Sequence, residues 1–336
     1  MKRVVVLGAT GHTGSYLTEY LCGMLDDNEY EIIASGKRRT DFFNRYGIDY
    51  VSVDISQKDD FDRLPREDVF AVILLSGVLP AYMQGYDLNR YITVNSIGAL
   101  NTLEYCRSVG ADRILYAQTI SDVLRGVNEK NPLIKPYQKR DIIMKGDHTV
   151  YALSKCLAVD LIEHYHQQYG LKGFVFRLPT IYAYTPDEYY YVNGEKRKLG
   201  YRIIIDAAIA GGPLEIWGDP TRAKDIVYVR DFCQLLGKAV VVNGVDGGWF
   251  NVGTGVGVST EDQIRGIAKV FAPGETCEIV YRPDKPSGPS FVMDISNCRE
   301  LLGYRPQYDY LSYLRDFKKE MKIGRFDELR MPAYLS

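Results

Sequence analysis

Short apolar runs alternate with helical patterns through the first half of the chain. The runs are continuous and rich in β-branched residues, as in strands buried on both faces of a sheet. The predicted strands are Val4–Leu7, Ile32–Ala34, Tyr50–Val53, Val69–Leu75, Ile114–Ala117 and Phe174–Arg177. Apolar residues at helical spacing predict helices over Ser15–Leu25, Asn95–Ser108 and Ala152–Tyr169. This alternation predicts an α/β fold with a doubly wound parallel sheet and ligands at the carboxyl ends of its strands.

The second half of the chain is less regular. The segment Tyr182–Gly200, with its DEYYYVNGEKRK run, has the composition of a polar loop, and Gly/Pro-rich stretches follow it. We therefore predict two domains: residues 1–178 form the sheet domain, and residues 179–336 form a smaller mixed α/β lobe. The two are interleaved, with residues 225–254 returning to the first domain.

Composition narrows the class of ligand. The chain has 336 residues, 25% charged and 46% hydrophobic, with a formal net charge of −2. This balance favours a small-molecule ligand over nucleic acid or a membrane surface. Six single cysteines without a CxxC predict neither a metal site nor disulfides, and fit reduced thiols in the cytoplasm. The opening MKRVVVLGAT has the pattern of a buried strand, which predicts no signal peptide.

A glycine-rich turn follows the first strand directly. The sequence GATGHTG places Gly8, Gly11 and Gly14 at the start of a helix, with Thr10, His12 and Thr13 between them. Without Cβ atoms, such a turn lets backbone N–H groups and a helix N-terminus approach a pyrophosphate closely. The spacing is GxxGxxG rather than GxGxxG, and it predicts a Rossmann-type dinucleotide-binding domain.

The end of the second strand bears on the choice of dinucleotide. A carboxylate usually binds the ribose hydroxyls of NAD here, but this chain has Ser35 and Gly36, followed by Lys37, Arg38 and Arg39. Small residues leave room for a 2′-phosphate, and guanidinium groups bind it bidentately. NADP is the predicted cofactor and NAD the alternative, since a basic turn of this kind is also common on solvated surfaces.

Two further strand ends extend the predicted cofactor site. Asp54 and Ile55 follow the third strand and offer an acceptor and an apolar wall for adenine. Leu75, Ser76 and Gly77 end the fourth strand, where the cofactor could pass close to the backbone.

A tyrosine and a lysine four residues apart give the candidate catalytic pair. Tyr151 and Lys155 lie on one face of the predicted helix, so both can reach the same ligand. A phenol with a pKa of about 10 is a poor base at neutral pH. We expect the adjacent ammonium and the positive nicotinamide of an oxidised cofactor to favour the phenolate. Thr119 or Ser121, at the end of the fifth strand, could hydrogen-bond the reacting oxygen.

These motifs in this order resemble the extended short-chain dehydrogenase/reductase family of nucleotide-sugar epimerases, dehydratases and reductases. The resemblance covers nearly the whole chain. It is carried by GATGHTG, ITVNSIGALNTLEYCR, YAQTIS, YALSK, RLPTIYA, WGDPTRAKDIVYVRD, FNVGTGVGVS, YRPD and MDISNCRELLGYRP.

The resemblance implies roles for individual residues. Thr119, Tyr151 and Lys155 would form the catalytic triad. Asn95 would be a structural or active-site polar residue, and Pro179 would lie against the nicotinamide. The implied substrate contacts, besides Thr119, are Thr180, Trp217, Lys224 and Arg282, the two cations meeting a nucleotide diphosphate. The resemblance also implies a homodimer paired through Asn95–Ser108 and Tyr151–Gln168.

The chain departs from the family pattern at several positions. Thr180 replaces a substrate-binding asparagine, Ala183 replaces a glycine, and Lys224 replaces an arginine, keeping the charge but losing the bidentate fork. The segment between Thr119 and Tyr151 is longer than usual. Its cations suit either a lid over an anionic substrate or a solvated surface loop: Lys130, Lys135, Lys139, Arg140 and Lys145.

The residues after Thr119 bear on the reaction. Dehydratases of the family place acids directly after this threonine, whereas this chain has Ile120 and Ser121, with Asp122 one place too late. We therefore predict an NAD(P)-dependent nucleotide-sugar epimerase or ketoreductase, with Tyr151 as acid and base. The alternatives are a reductase of a non-nucleotide carbonyl compound and a non-catalytic NADP-sensing protein.

Overall fold

A computed structural model describes residues 1–128, 132–192 and 194–329. The strands among these residues are β1 (Lys2–Leu7), β2 (Tyr30–Gly36), β3 (Asp49–Ser52), β4 (Val69–Leu74), β5 (Arg113–Thr119), β6 (Leu133–Ile134), β7 (Lys172–Leu178), β8 (Ile181–Tyr182), β9 (Tyr189–Val192), β10 (Glu195–Lys198), β11 (Leu214–Trp217), β12 (Ala223–Asp225), β13 (Val227–Tyr228), β14 (Gly247–Asn251), β15 (Gly257–Ser259), β16 (Ile279–Arg282) and β17 (Val292–Met293). A seven-stranded sheet has the order β14-β7-β5-β4-β1-β2-β3, and every neighbouring pair is parallel.

The helices cover both faces of this sheet. They are α1 (His12–Met24), α2 (Leu88–Tyr91), α3 (Gly98–Val109), α4 (His148–Tyr169), α5 (Gly200–Ile209), α6 (Val229–Val241), α7 (Thr260–Phe271), α8 (Ser296–Leu301) and α9 (Tyr310–Ile323). A π-helical turn, Ile92–Ile97, joins α2 to α3. Within the described ranges, none of the helices combines the length and apolar character needed to cross a bilayer.

Strand β1, inside the sheet, shows why the predicted strands do not alternate apolar with polar residues. Val4 and Val6 pack with α1 and α6 on one face of the sheet, and Val5 and Leu7 pack with α3 and α4 on the other. All four side chains are at most 1% exposed, so neither face tolerates a polar residue. The structure confirms the predicted doubly wound parallel sheet.

The prediction of a polar loop over Tyr182–Gly200 is wrong. Strands β9 and β10 form an antiparallel hairpin in this segment, with Glu195 opposite Val192 and Lys198 opposite Tyr189. The charged residues of β10 concealed the strand signal, which comes from three consecutive tyrosines with high β-propensity. Helix α5 begins directly after the hairpin.

The smaller lobe is built from short paired strands and α5, α7 and α9. Strand β11 pairs with β16 in parallel, and β12 pairs with β15 antiparallel. Strand β14, although late in the sequence, is an edge strand of the large sheet beside β7. The chain enters these short strand pairs after β7, at the carboxyl end of the sheet.

The segment between β5 and α4 is held against the body of the protein. Strand β6 within it pairs with β17, and Ile134 is fully buried. The Arg140 guanidinium also forms an ion pair with Asp160 of α4. Of the cations predicted there, Lys135, Lys139 and Lys145 are exposed, and Lys130 lies outside the described residues.

A buried ion pair fixes the start of the same segment. The guanidinium of Arg177, on β7, donates to both carboxylate oxygens of Asp122 at 3.0–3.2 Å. Its remaining donors reach the carbonyls of Lys135 and Pro136 and the side chain of Asn251. Neither charged side chain is more than 1% exposed. A cation buried this deeply requires such a full set of acceptors.

Candidate active site

The glycine turn forms the floor of the site. The N–H groups of Gly8 and Ala9 both donate to the carbonyl of Ser35 at 2.8 Å, which fixes the turn against the end of β2. Gly8 has a φ of 102°, and a Cβ on Gly14 would lie 2.0 Å from the Gly8 oxygen. Only glycine allows α1 to start this close to β1.

The N-terminus of α1 suits a bound anion. Gly11 is the N-cap residue and no side chain caps the helix, so the first-turn N–H groups of His12, Thr13 and Gly14 have no intrahelical acceptor. Together with the helix dipole, these donors fit the pyrophosphate of a dinucleotide. The residues present therefore match the cofactor that the turn predicts.

The basic turn after β2 is partly engaged by the protein itself. The Lys37 ammonium lies 3.1 Å from the Asp54 carboxylate, and Arg38 donates to the carbonyl of Leu329 at 2.5 Å. Arg39 is exposed. Ser35 is fully buried, and no described acceptor or donor pairs with its hydroxyl. Gly36 faces Thr10, whose Oγ1 would lie 2.8 Å from an added Cβ.

The predicted adenine wall follows β3. Burial acts to raise the pKa of the Asp54 carboxyl, but hydrogen bonds from Ser56 and the ion pair with Lys37 lower it overall. Ile55 packs against Gly98 of α3, and its carbonyl accepts from the Asn101 amide at 3.0 Å. The two predicted residues thus lie between the basic turn and α3.

Asn95 joins three parts of the site. Its side-chain amide accepts from the Val78 N–H at 2.8 Å and donates to the Val78 carbonyl at 3.0 Å. It also donates to the Ser154 hydroxyl of α4 at 3.2 Å.

The predicted residues after β4 lie next to Asn95. The N–H groups of Leu75 and Ser76 donate to the Leu7 carbonyl, and Gly77 lies against the Asn95 side chain. Asn95 is 3% exposed and lies in the π-helical turn, a feature frequent at functional sites.

Thr119 and Tyr151 lie close together at the carboxyl end of β5. Burial raises the pKa of the Tyr151 phenol to about 12, and the Thr119 side chain acts to lower it. The Thr119 hydroxyl donates to Ser121 at 3.2 Å. Lys155 follows Tyr151 by one turn of α4, and its ammonium lies over the Tyr116 ring.

The predicted effect of Lys155 on Tyr151 is not found in the protein alone. Burial lowers the pKa of Lys155 to about 7, because the residue is only 6% exposed. Its ammonium lies 4.1 Å from the centroid of the Tyr116 ring. The same loss of water disfavours the charged forms of both side chains. Lys155 therefore does not by itself bring the Tyr151 pKa down toward neutrality.

The predicted substrate residues fall into two groups. Thr180 is exposed next to buried Pro179 after β7, and Lys224 donates to the nearby Tyr182 hydroxyl at 2.9 Å. In the second group, Trp217 and Arg282 are paired residues of β11 and β16. The Arg282 guanidinium also binds Glu215 at 2.9 Å and Asp284 at 3.2 Å, so two carboxylates partly neutralise it.

Three features were missed by the sequence reasoning. They are the Arg177–Asp122 ion pair, the contact of Lys224 with Tyr182, and the hydrogen bonds that join His12 with Tyr82 and with Thr185. The ion pair could have been suspected from the sequence, because Arg177 is a single arginine at the end of an apolar strand. The contacts of Lys224 and His12 join residues far apart in the chain and leave no local signal. Among the described residues no cluster of histidine, cysteine and carboxylate side chains could hold a metal ion.

Comparisons with known proteins agree with this geometry. The model of the NAD dependent epimerase/dehydratase family matches residues 4–253. A putative UDP-glucose 4-epimerase of Methanocaldococcus jannaschii is 24% identical over 315 residues, which cover 91% of this chain and 94% of that protein.

Two solved structures share the fold. A UDP-glucose 4-epimerase of Thermotoga maritima with UDP-glucose has a TM-score of 0.75 and 21% identity, covering 95% of this chain and 99% of that one. A UDP-glucuronic acid 4-epimerase of Bacillus cereus in complex with NAD has a TM-score of 0.72 and 20% identity, covering 96% and 98%.

The lowered pKa of Lys155 predicts a pH-dependent stability. In the unfolded chain this lysine keeps its proton up to about pH 10.5, whereas in the folded protein it loses it near pH 7. The unfolded state binds more protons between these values, so its contribution to the free energy of unfolding rises by roughly 1.4 kcal/mol per pH unit there. We expect Lys155→Met to remove this slope in urea titrations between pH 7 and 9.

The control for this measurement is Lys145→Met, because Lys145 is solvent-exposed on the segment before α4. Its replacement should leave the slope as in the wild type. Equal slopes in the wild type and Lys155→Met would show that Lys155 keeps its proton in the folded protein.

Proposed function

Because the chain belongs to the NAD dependent epimerase/dehydratase family, enzymes of the extended short-chain dehydrogenase/reductase type, we propose that it is a nucleotide-sugar epimerase with Tyr151 as acid and base. The observation that supports this most directly is the position of the buried Tyr151 phenol, where the Thr119 side chain acts to lower its pKa, at the same end of the sheet as the glycine turn. A proton acceptor thus lies near the predicted dinucleotide site.

The proposed reaction assigns a task to each residue. Thr119 donates a hydrogen bond to the reacting oxygen of the sugar and orients it. Tyr151 takes the proton of that hydroxyl as the carbon is oxidised and returns it when the carbon is reduced again. A nicotinamide dinucleotide held at the glycine turn would supply the hydride chemistry, and its positive oxidised ring would favour the phenolate. For the configuration to invert, the keto sugar must present its opposite face before the carbon is reduced again. Lys155 would bind the hydroxyls of the nicotinamide ribose, and net epimerisation takes up no proton.

The nucleotide-sugar substrate is proposed from the named relatives and from the cations of the smaller lobe. The Thermotoga protein is described with UDP-glucose. In this chain Lys224 is the accessible ammonium near Thr180, and Arg282 beside Trp217 can exchange its carboxylate partners for a diphosphate. We propose that each domain binds one ligand. The dinucleotide is bound by the first domain, residues 1–178 with 225–254, and the sugar nucleotide by the rest of residues 179–336.

The environment of Asp122 argues against dehydration. Its carboxylate, the first acid after Thr119, is fully buried and accepts three hydrogen bonds from Arg177. Burial raises its pKa while Arg177 acts to lower it. A carboxylate committed to this pair does not remove a substrate proton.

Net reduction of a keto sugar is the second candidate. The basic turn Lys37–Arg39 favours it, since NADPH is kept reduced in cells and exchanges as a cosubstrate. In that reaction the same residues would act, Tyr151 would give its proton to the keto oxygen, and hydride would move only from the cofactor to the sugar. Incubation with UDP-sugars and with 4-keto nucleotide sugars, each with NAD or NADPH, separates the two reactions.

Replacing the proposed acid and base tests the mechanism. Tyr151→Phe keeps the ring but removes the proton-transferring oxygen, and we expect epimerisation to fall by about 10²–10⁴-fold. Dinucleotide binding, measured by fluorescence titration, should persist. Tyr91→Phe is the matched control, since Tyr91 is a buried tyrosine whose ring lies 6.0 Å from that of Tyr151.

The outcome also separates the enzyme from a dinucleotide-sensing protein. Turnover that is the same in Tyr151→Phe and the wild type would remove Tyr151 from the mechanism. An absence of turnover in the wild type with every sugar nucleotide would favour the sensing role or a non-nucleotide carbonyl substrate.

We propose NADP as the preferred dinucleotide, bound by Arg39 together with Lys37. Arg39 is the exposed arginine of the basic turn, so Arg39→Ala should weaken NADP binding about tenfold, a loss of roughly 1.4 kcal/mol. NAD affinity should not change, because NAD lacks the 2′-phosphate. Titrations of Arg265→Ala, an exposed arginine of α7, give the control. A wild type that binds NAD more tightly than NADP would overturn the preference.

We also propose that the protein is a homodimer. Exposed apolar side chains lie on the helix of residues 88–109 and on α4: Ile92, Ile97, Leu153 and Leu157, each 41–45% exposed. A second copy is the proposed cover for this apolar surface. Sedimentation should show a dimer for the wild type and a monomer for Leu157→Lys. Ile323→Lys, at an exposed position of α9, should remain a dimer, and a monomeric wild type would contradict the proposal.

A further inference from the structure

The imidazole of His12 bridges two segments far away in the sequence. Its Nδ1 atom lies 2.9 Å from the Tyr82 hydroxyl, and its Nε2 atom lies 3.1 Å from the Thr185 hydroxyl. The Tyr82 ring packs edge-on against the imidazole, with centroids 5.3 Å apart. Since His12 is the first residue of α1, the bridge starts at the anion-binding turn itself.

The chemistry of the bridge suits a neutral imidazole. His12 is exposed at the surface, but the residues packed around its ring lower its pKa by excluding water, with the Asp187 carboxylate opposing this effect and Arg38 adding to it. A neutral ring has one donor and one acceptor, and a hydroxyl can meet either. Thr185 also accepts from the Asp187 N–H at 3.2 Å, and its hydroxyl can meet Nε2 as donor or acceptor.

The two bridged segments form one unit. Tyr82 ends a short turn, Pro80–Tyr82, and Thr185 precedes the β9–β10 hairpin, which packs on that turn. In the hairpin turn, a Cβ on Gly194 would lie 3.0 Å from the Gln84 carbonyl oxygen. We name residues 80–84, 185–192 and 194–198 the roof. Through His12 the roof is connected to the helix N-terminus that forms the floor.

We propose that the His12 bridge fastens the roof over the bound dinucleotide and makes it a retained cofactor rather than an exchanging cosubstrate. This inference rests on the proposed function, in which the first turn of α1 holds the pyrophosphate. A dinucleotide whose pyrophosphate binds at that turn would lie beside His12, and its release would require the roof to separate from α1. A retained cofactor suits an enzyme that returns the hydride to the same sugar, so the bridge favours epimerisation over net reduction.

The dissociation rate of the dinucleotide tests the bridge independently of turnover. NADPH is bound first and displaced by excess NADP in a stopped-flow instrument, with NADPH fluorescence as the signal. His12→Phe keeps an aromatic ring but removes both hydrogen bonds, and we expect dissociation about tenfold faster, equivalent to roughly 1.4 kcal/mol. The association rate should change much less, because the floor is intact. His164→Phe, at an exposed histidine of α4, is the control and should match the wild type.

Variants on the partner side keep the test informative even if His12→Phe fails to fold. Thr185→Val should accelerate dissociation like His12→Phe, whereas Thr185→Ser keeps the hydroxyl and should retain the wild-type rate. Because His12→Phe already removes both hydrogen bonds of the bridge, the double variant should be no faster than His12→Phe alone.

The outcomes separate this inference from the proposed function. Wild-type dissociation rates in both His12→Phe and Thr185→Val would overturn the bridge, even with epimerase activity intact. Conversely, faster dissociation in these variants of a protein that epimerises no sugar nucleotide would support the bridge and contradict the proposed reaction.

Discussion

Exclusion of water from Tyr151 and Lys155 is the constraint on which the chemistry of the site depends. Burial raises the pKa of the phenol to about 12 and lowers the pKa of the amine to about 7, so both side chains are driven toward their neutral forms. The pair is therefore not a preformed phenolate–ammonium couple. In the proposed reaction, the positive charge of an oxidised cofactor would make proton removal by Tyr151 favourable. Proton transfer would then depend on a bound cofactor.

A dry site of this kind needs rigid walls, and the structure provides them with polar side chains that are fully hydrogen-bonded. Asn95 binds the strand end at Val78 and the helix at Ser154, which fixes the position of α4. Arg177 and Asp122 fix the chain just after Thr119. Burying these groups costs free energy, but each has its partners, so they hold one arrangement of the backbone. Asp122 thereby loses the freedom that an acid in dehydration would need.

The parts of this site that the sequence predicted are those that depend on near neighbours in the chain. Gly8, Gly11 and Gly14 make their turn within seven residues, and Tyr151 and Lys155 share a helix face because they are four residues apart. Continuous apolar runs indicated the buried sheet. In contrast, Arg38 meets a carbonyl 291 residues away, and His12 meets Thr185 across 173 residues. No local pattern encodes such contacts, and the β9–β10 hairpin was concealed by its charged residues.

Lys37 and Arg38 of the basic turn already bind groups of the protein, but both can still bind a phosphate. The ion pair of Lys37 with Asp54 involves an ammonium that is 73% exposed, and such pairs contribute only about 0–1 kcal/mol. Arg38 uses one of its five donors on the Leu329 carbonyl, which is neutral, so the charge of the guanidinium is not cancelled. A 2′-phosphate at this turn would therefore replace weak partners with stronger ones. The Leu329 carbonyl, 291 residues away in the sequence, thus contributes to the position of the Arg38 guanidinium, which the turn alone does not determine.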